Sequence, residues 1–342
     1  MPGPAATDVT ALLAARARWR PLELVFWVVA LASVFLLPDK HLILAEIAIL
    51  ALFALSIDLL LGYAGIVSLG HAAFFGAGAY IAGLLGKHGV QEPLFGLVAA
   101  AAGAAVLGFA SSFLVLRGSD LTRLMVTLGV ALVLYEFANK AAFTGGADGL
   151  QGVVIGPVLG LFEFDITGHV AYAYSLTVLF VLFLLARRIV YSPFGLSLQA
   201  VKGNPLRARA IGVPVSRRLV AIYTLAAAYA GIAGALLAQT QQFVSLDVLA
   251  FHRSADGLLV LILGGAGYLY GGIVGAVIFK LMQDWLSALT PQYWQFWIGL
   301  VLVLIVVIGR DRMANWSHLV RDIVRPTRKA PVAAPAEQER GP

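Results

Sequence analysis

A few polar side chains, set singly into long apolar runs, are the groups in this chain that could do chemistry. Ser68 and His71 lie inside the run 62–83, GYAGIVSLGHAAFFGAGAYIAG. An ionisable residue within a membrane span is a functional-site hypothesis by default, so His71 could line a pore, contact a solute or relay a proton. A His hydrogen-bonded to a neighbouring helix needs no solute, and that packing role stands beside the first. Glu46, Asp58 and Glu136 pose the same pair of alternatives. Residues 191–218, YSPFGLSLQAVKGNPLRARAIGVPVSRR, suggest recognition instead. They are the one long polar and basic island in mid-chain. Leu196, Leu198, Val201, Leu206 and Ile211 can line one side of a short helix. Pro193 and Gly195 sit near its start, and Gly212 with Pro214 stops it. Such a segment either touches a partner or is a solvated loop that merely sets topology.

The elements that hold these residues follow from composition. The chain has 342 residues, 60% hydrophobic and 12% charged, with a mean hydropathy of +0.89. Soluble domains average about 25% charged residues. Half that, with repeated long apolar runs, indicates an all-α polytopic transmembrane bundle; a barrel would show short alternating strands. Spans need about 20 apolar residues. The candidates are 23–37, 41–61, 66–85, 93–116, 121–143, 169–186, 218–238, 246–263, 271–289 and 293–308, about ten in all. The eighth contains His252, Arg253 and Asp256, so its first turns are expected outside the bilayer. The first run lacks a following A-x-A cleavage signal and reads as a retained helix.

Charge orients the bundle. Arg16, Arg18 and Arg20 precede the first span, and Arg310, Arg312, Arg321, Arg325, Arg328 and Lys329 follow the last. Lys and Arg are retained on the cytoplasmic side, so both ends belong there and the number of crossings is even. The basic loops around Arg117 and Arg123 and at 187–218 then fall inside. The loop 144–168, with Asp148, Glu163 and Asp165 but no Lys or Arg, falls outside. The expected organisation is a cytoplasmic segment 1–21, a membrane domain 22–309 and a partly disordered cytoplasmic tail 310–342. The net charge of +6 is accounted for by these loops and requires no nucleic acid.

Several chemistries are excluded. There is no cysteine, hence no disulfide, thiolate metal site or Cys nucleophile. Gly86-Lys87 is followed by His88, so no phosphate-cradling loop is present. No metal-ligand spacing or nucleophile elbow occurs, and Ser68 and Ser111 stand in small-residue helical contexts. Gly264, Gly265, Gly267, Gly271, Gly272 and Gly275 crowd into GGAGYLYGGIVG. Gly267, Gly271 and Gly275 are expected on one helix face for close packing, or else the stretch is a broken, mobile turn.

Four blocks carry a resemblance. They are GYAGIVSLGHAAFFGAGAY at 62–80, TGGADGL at 144–150, the block from 192 to 238 beginning SPFGLSLQAVKGNPLRARAIGVPVSRR, and LILGGAGYLYGGIVGAVIF at 261–279. Together, in this order and over about 42–308, the chain resembles the LivM-type permease subunits of branched-chain amino-acid ABC importers, with their urea, amide and aromatic-acid relatives. The resemblance implies a second, homologous permease subunit, two ATP-binding subunits that hydrolyse the ATP, and a periplasmic binding protein. It implies no cofactor in this subunit, no enzymatic step on it, and an inner-membrane location among lipid. The substrate path would involve Ser68, His71, Glu136, Thr144 and Asp148, with 144–148 facing the binding protein or the outer mouth. Residues 197–212 would form a coupling helix in which Leu198, Val201 and Leu206 seat in an ATPase groove. Arg207 and Arg209 would pair at the groove's rim, and Gly203 and Gly212 would turn the ends. Lys202-Gly203-Asn204-Pro205 departs from the family's usual pattern there, and Pro205 could bend the helix. A stand-alone secondary transporter or channel, relaying through Asp58, Glu136 or His71, is the alternative. It would be supported by inverted repeats, but the Gly-rich segments at 62–83 and 264–275 are only weakly similar.

Overall fold

A computed structural model describes residues 21–308 except Ile166; the expected N-terminal arginines and the C-terminal tail lie outside the described residues. The described chain is helical, and its β-pairing is confined to two isolated bridges. Residues up to Trp285 form one compact unit, and a second begins at Leu286. In chain order the helices are α1 (Pro21–Leu36), α2 (His41–Asp58), α3 (Ala72–Lys87), α4 (Pro93–Val115), α5 (Asp120–Lys140) and α6 (His169–Val190). They continue with α7 (Pro193–Gly203), α8 (Pro205–Ala210), α9 (Val215–Gln241), α10 (Phe251–Gly264), α11 (Leu269–Leu289) and α12 (Trp294–Ile308). Six are long and apolar enough to cross a membrane: α2 with its continuation to Tyr63, α4, α5, α6, α9 and α11. The segments expected as the first, third, eighth and tenth spans form helices of 14 to 16 residues.

Helices α9 and α2 make the core. α9 packs along α4, α3 and α2, and α2 also packs on α6 and α10. Small residues permit this. Ala227, Ala230, Gly231, Gly234 and Ala238 of α9 are buried. A Cβ at Gly78 of α3 would run into the Gly231 backbone, and one at Gly234 would run into the Phe75 carbonyl. Where lipid tails are as apolar as the side chains, close backbone approach and dispersion supply the association. α5 buries little beyond Thr127, Ala131 and Ala138 and leaves Leu132, Val133 and Phe137 exposed, as a helix at the margin of a membrane bundle does.

The expected third span is interrupted. α2 ends in a π-turn, Leu59–Tyr63, and regular helix resumes only at Ala72. The irregular stretch between them is nevertheless buried at Ile66, Ser68 and His71. Non-helical backbone at membrane depth survives only where protein surrounds and satisfies it. Here the Leu69 N–H reaches Thr127 Oγ1 at 3.3 Å, and the Ala72 N–H donates to Ser254 Oγ at 2.8 Å.

The loops sort to two ends of the first unit. At one, residues 64–66 meet the α4–α5 turn, α7 and α8 around a cavity of about 260 Å³ that includes Arg123, Lys202 and Arg209. At the other, Leu150 and Val244 exchange backbone hydrogen bonds of 2.8 and 3.2 Å, and the Gly156 N–H donates to the Gln91 carbonyl at 2.9 Å. The basic loops therefore share one end, and the acidic loop 144–168 lies at the other.

Candidate functional site

Proline chemistry shapes the basic loop. Ser192 caps α7, its hydroxyl accepting from the Gly195 N–H at 3.5 Å, with Pro193 in the first turn. The residue before a proline is driven out of helical geometry. Asn204 accordingly adopts φ −160° and ψ 105°, and its side chain accepts from the Arg207 N–H at 3.0 Å to start α8. The single helix expected over 197–212 is thus two helices. Gly203 is helical and the break falls at Asn204, whereas Gly212 does make a left-handed turn, at φ +87°.

The two halves face opposite ways, which corrects the expected docking set. Leu198 and Val201 are 1% and 2% exposed, packed against this chain's own bundle, so they cannot seat in a partner's groove. Leu206 and Ile211 are 74% and 76% exposed, and Arg207 and Arg209 are exposed beside them.

Lys202, near the end of α7, ties the loop to the membrane core. Its Nζ donates to the Gly62 carbonyl in the π-turn at 2.6 Å. A Cβ at Gly62 would lie 2.6 Å from the Gly267 nitrogen, so the two glycine-rich turns touch. The Gly267 N–H in turn donates to Oδ1 of fully buried Asp58 at 2.7 Å. A chain of contacts therefore runs from the basic loop through Gly62 to Gly267 and Asp58. Gly267 sits in the turn before α11 at φ +85°, not on a helix face with Gly271 and Gly275. Those two lie against α10: a Cβ at Gly275 would meet the Val260 carbonyl.

The expected path residues do not converge. His71 is buried, its Nε2 2.9 Å from Ser56 Oγ and its ring between Phe53 and Phe74. Its other ring nitrogen, Nδ1, is buried without a hydrogen-bond partner among the described residues. Ser68 is buried. Thr144 is also buried, its hydroxyl 2.6 Å from the carbonyls of Ala138 and Ala141 at the end of α5. Glu136 and Asp148 are exposed. Asp58, His71 and Glu136 share no hydrogen bond among the described residues.

Sequence reasoning missed a second polar centre, at the end away from the basic loop. Glu46 of α2 and Lys280 of α11 form an ion pair of 2.6 Å. With Arg253 and Asp256 of α10 they line one cavity of about 210 Å³. Glu46 stood out in the sequence as a lone charge and Arg253 with Asp256 as polar turns expected outside the bilayer, while Lys280, midway along an apolar run, was the unused signal. No group of three or more metal-ligating side chains occurs among the described residues.

Tightly seamed apolar helices, six of them long enough to cross a membrane, are those of a multi-pass membrane protein. Residues 41–306 match the family described as the branched-chain amino acid transport system / permease component, and the chain belongs to that family. It is 29% identical over 287 residues to the high-affinity branched-chain amino acid transport system permease protein LivM of Salmonella typhimurium, and equally to LivM of Escherichia coli. These matches cover 75% of this chain and 65% of each relative's length. It is also 27% identical over 236 residues to the galactose/methyl galactoside import permease protein MglC of Haemophilus influenzae, covering 64% of this chain and 67% of that one. No solved structure matches the chain.

Proposed function

We propose that this chain is the membrane permease subunit of a binding-protein-dependent ABC importer for branched-chain amino acids or a related small solute. It works with a second, homologous permease subunit, two ATP-binding subunits that hydrolyse the ATP, and a periplasmic binding protein. It lies in the bacterial inner membrane with both termini and the 187–218 loop cytoplasmic, and the four shorter helices bring the crossings to ten. The observation that carries this reading is the split basic loop: α8 offers Leu206, Arg207 and Arg209 outward, while α7 beside it is joined through Lys202 to the turn at Gly62. A surface that receives a push and a strut that passes it inward are what mechanical coupling requires. Family membership and the LivM relatives support the solute class.

Two measurements test it. Ala147 and Ala200 are both exposed, and the chain has no native cysteine. A membrane-impermeant maleimide on intact cells should label Ala147→Cys and spare Ala200→Cys; the reverse pattern overturns the orientation. Leu206→Asp should release the ATPase on co-purification, since burying a Leu at a contact contributes on the order of 1.5–3 kcal/mol. Full ATPase association and coupled uptake in that variant would reduce the segment to a topological loop.

A further inference from the structure

The cavity of about 210 Å³ between α2, α10 and α11 has a lining unlike the rest of the bundle. Glycines bring its walls together. A Cβ at Gly257 of α10 would collide with Phe53 of α2 at 2.6 Å, and one at Gly272 of α11 would lie 3.1 Å from the Ala54–Leu55 backbone of α2. This close packing sets Arg253 and Asp256 of α10 into the same cavity as Glu46 and Lys280. Lys280 is the twelfth residue of a 21-residue apolar span, and Glu46 lies in the most hydropathic one. Charges set into apolar spans are expensive and face a partner or a pathway.

We propose that this cavity binds a zwitterionic α-amino acid, with the ammonium group at Asp256 and the carboxylate at Arg253. The proposal deepens the permease reading, on which it rests for the transport of the solute.

Three features argue for it. The charged lining is two cations and two anions, so it suits a ligand that carries both charges and no net charge. Glu46 and Lys280 satisfy each other at 2.6 Å, whereas Arg253 keeps only a longer ion pair with Asp247 and Asp256 has no such partner. Asp256 makes no hydrogen bond or ion pair with a described residue. Arg253 reaches Asp247 at 3.4 Å through one terminal nitrogen, while its Nε is buried without a partner. Residues three apart on a helix stand about 5–6 Å apart at Cβ, a spacing that the adjacent ammonium and carboxylate of one α-amino acid can bridge. A carboxylate on the guanidinium would form a charge-assisted bond, the strong kind. Phe53, Leu237 and Phe279 supply an apolar wall for the side chain. The volume is below the roughly 300–1,000 Å³ of drug-sized sites and suits a small solute. A neutral polyol or urea carries no charge to offer either side chain of α10, so it forgoes the charge-assisted bonds that an amino acid would make.

The test uses the full chain in lipid nanodiscs, with radiolabelled L-leucine as the probe. Competitors are 4-methylpentanoate, which lacks the ammonium, 3-methylbutylamine, which lacks the carboxylate, and urea and galactose. Leucine should bind saturably, each singly charged analogue at least tenfold more weakly, and urea and galactose should not compete. Asp256→Asn should weaken leucine at least tenfold and abolish the discrimination against 4-methylpentanoate. Arg253→Gln should do the same for 3-methylbutylamine. A misfolded variant would lose all ligands together, so the exchanged selectivity is the decisive readout, and loss of every ligand in both variants counts against the proposal. Absence of saturable leucine binding, equal binding of the singly charged analogues, or unchanged selectivity in the variants would overturn it. Because binding is read without the ATPase, the two ideas fail separately: a chain that recruits an ATPase yet binds no leucine keeps the permease reading and loses this site.

Discussion

Helices α7 and α8 belong to one basic loop and are separated by a single residue, yet they behave oppositely. α7 buries its apolar face in its own bundle through Leu198 and Val201, and α8 leaves Leu206 and Ile211 in the open. The difference comes from Asn204 and Pro205. Proline removes a helix hydrogen bond and forces its predecessor into extended geometry. The helix axis is therefore reset, and the stripe that a continuous helix would keep on one side is divided between two. A segment that must both hold to the membrane domain and meet another protein is better served by two faces than by one.

The strongest way to break this comparison is to charge the anchored half. Leu198→Asp places a carboxylate where the side chain is 1% exposed. Loss of a buried Leu costs about 2–5 kcal/mol, and the unpaired charge adds to that. The expected outcome is loss of folded protein from detergent-solubilised membranes, seen as aggregation by size-exclusion chromatography. Leu206→Asp, on the outward half, should elute as the wild type does. Equal behaviour of the two variants would mean that the halves are not differently placed.

How far the sequence foretold this depends on the kind of information each feature needs. The six long membrane helices were legible because hydropathy over about 20 residues is a local property. The direction of α7 was not, because Leu196, Leu198 and Val201 mark an apolar face without saying whether the chain's own bundle or a partner covers it. Pro205 signalled a bend, but the two-helix outcome also needed the Asn204 cap. The contact of Gly62 with Gly267 and Asp58, and the meeting of Glu46 with Arg253, Asp256 and Lys280, join distant parts of the chain through tertiary packing. In the sequence Glu46 and Lys280 stood far from each other and from Arg253 and Asp256, and a charge in a span names neither its partner across the bundle nor its pocket. His71 drew notice for being rare in such a context, and it proved to be held by Ser56 and two phenyl rings.

A smaller perturbation sharpens the comparison by cutting the strut while sparing both faces. Lys202→Met keeps the stem of the side chain and removes the bond to the Gly62 carbonyl. A hydrogen bond from a charged donor contributes about 1.5–3 kcal/mol, and solvent near Lys202 places this one at the lower end. Folding and ATPase association should survive, because Leu198, Val201 and α8 are untouched. What should fall, severalfold, is the stimulation of ATP hydrolysis by loaded binding protein in reconstituted vesicles. An unchanged ratio of stimulated to basal hydrolysis would make Lys202 a static tether.

The smallest effect is expected at Arg207. Its side chain is exposed, its backbone N–H is the group that Asn204 caps, and no ion pair holds the guanidinium among the described residues. Arg207→Ala therefore removes no contact within this chain and favours the helical backbone slightly, so thermal stability should stay within about 0.5 kcal/mol of wild type. At a partner's rim an exposed ion pair is worth about 0–1 kcal/mol and is screened by salt. ATPase retention on co-purification should accordingly drop less than tenfold at low ionic strength and match the wild type at high salt. Leu206→Asp should remain defective at both, because an apolar contact is not screened. If Arg207→Ala instead released the ATPase at every salt concentration, α8 would dock through a desolvated guanidinium, and the apolar face of Leu206 and Ile211 would be secondary.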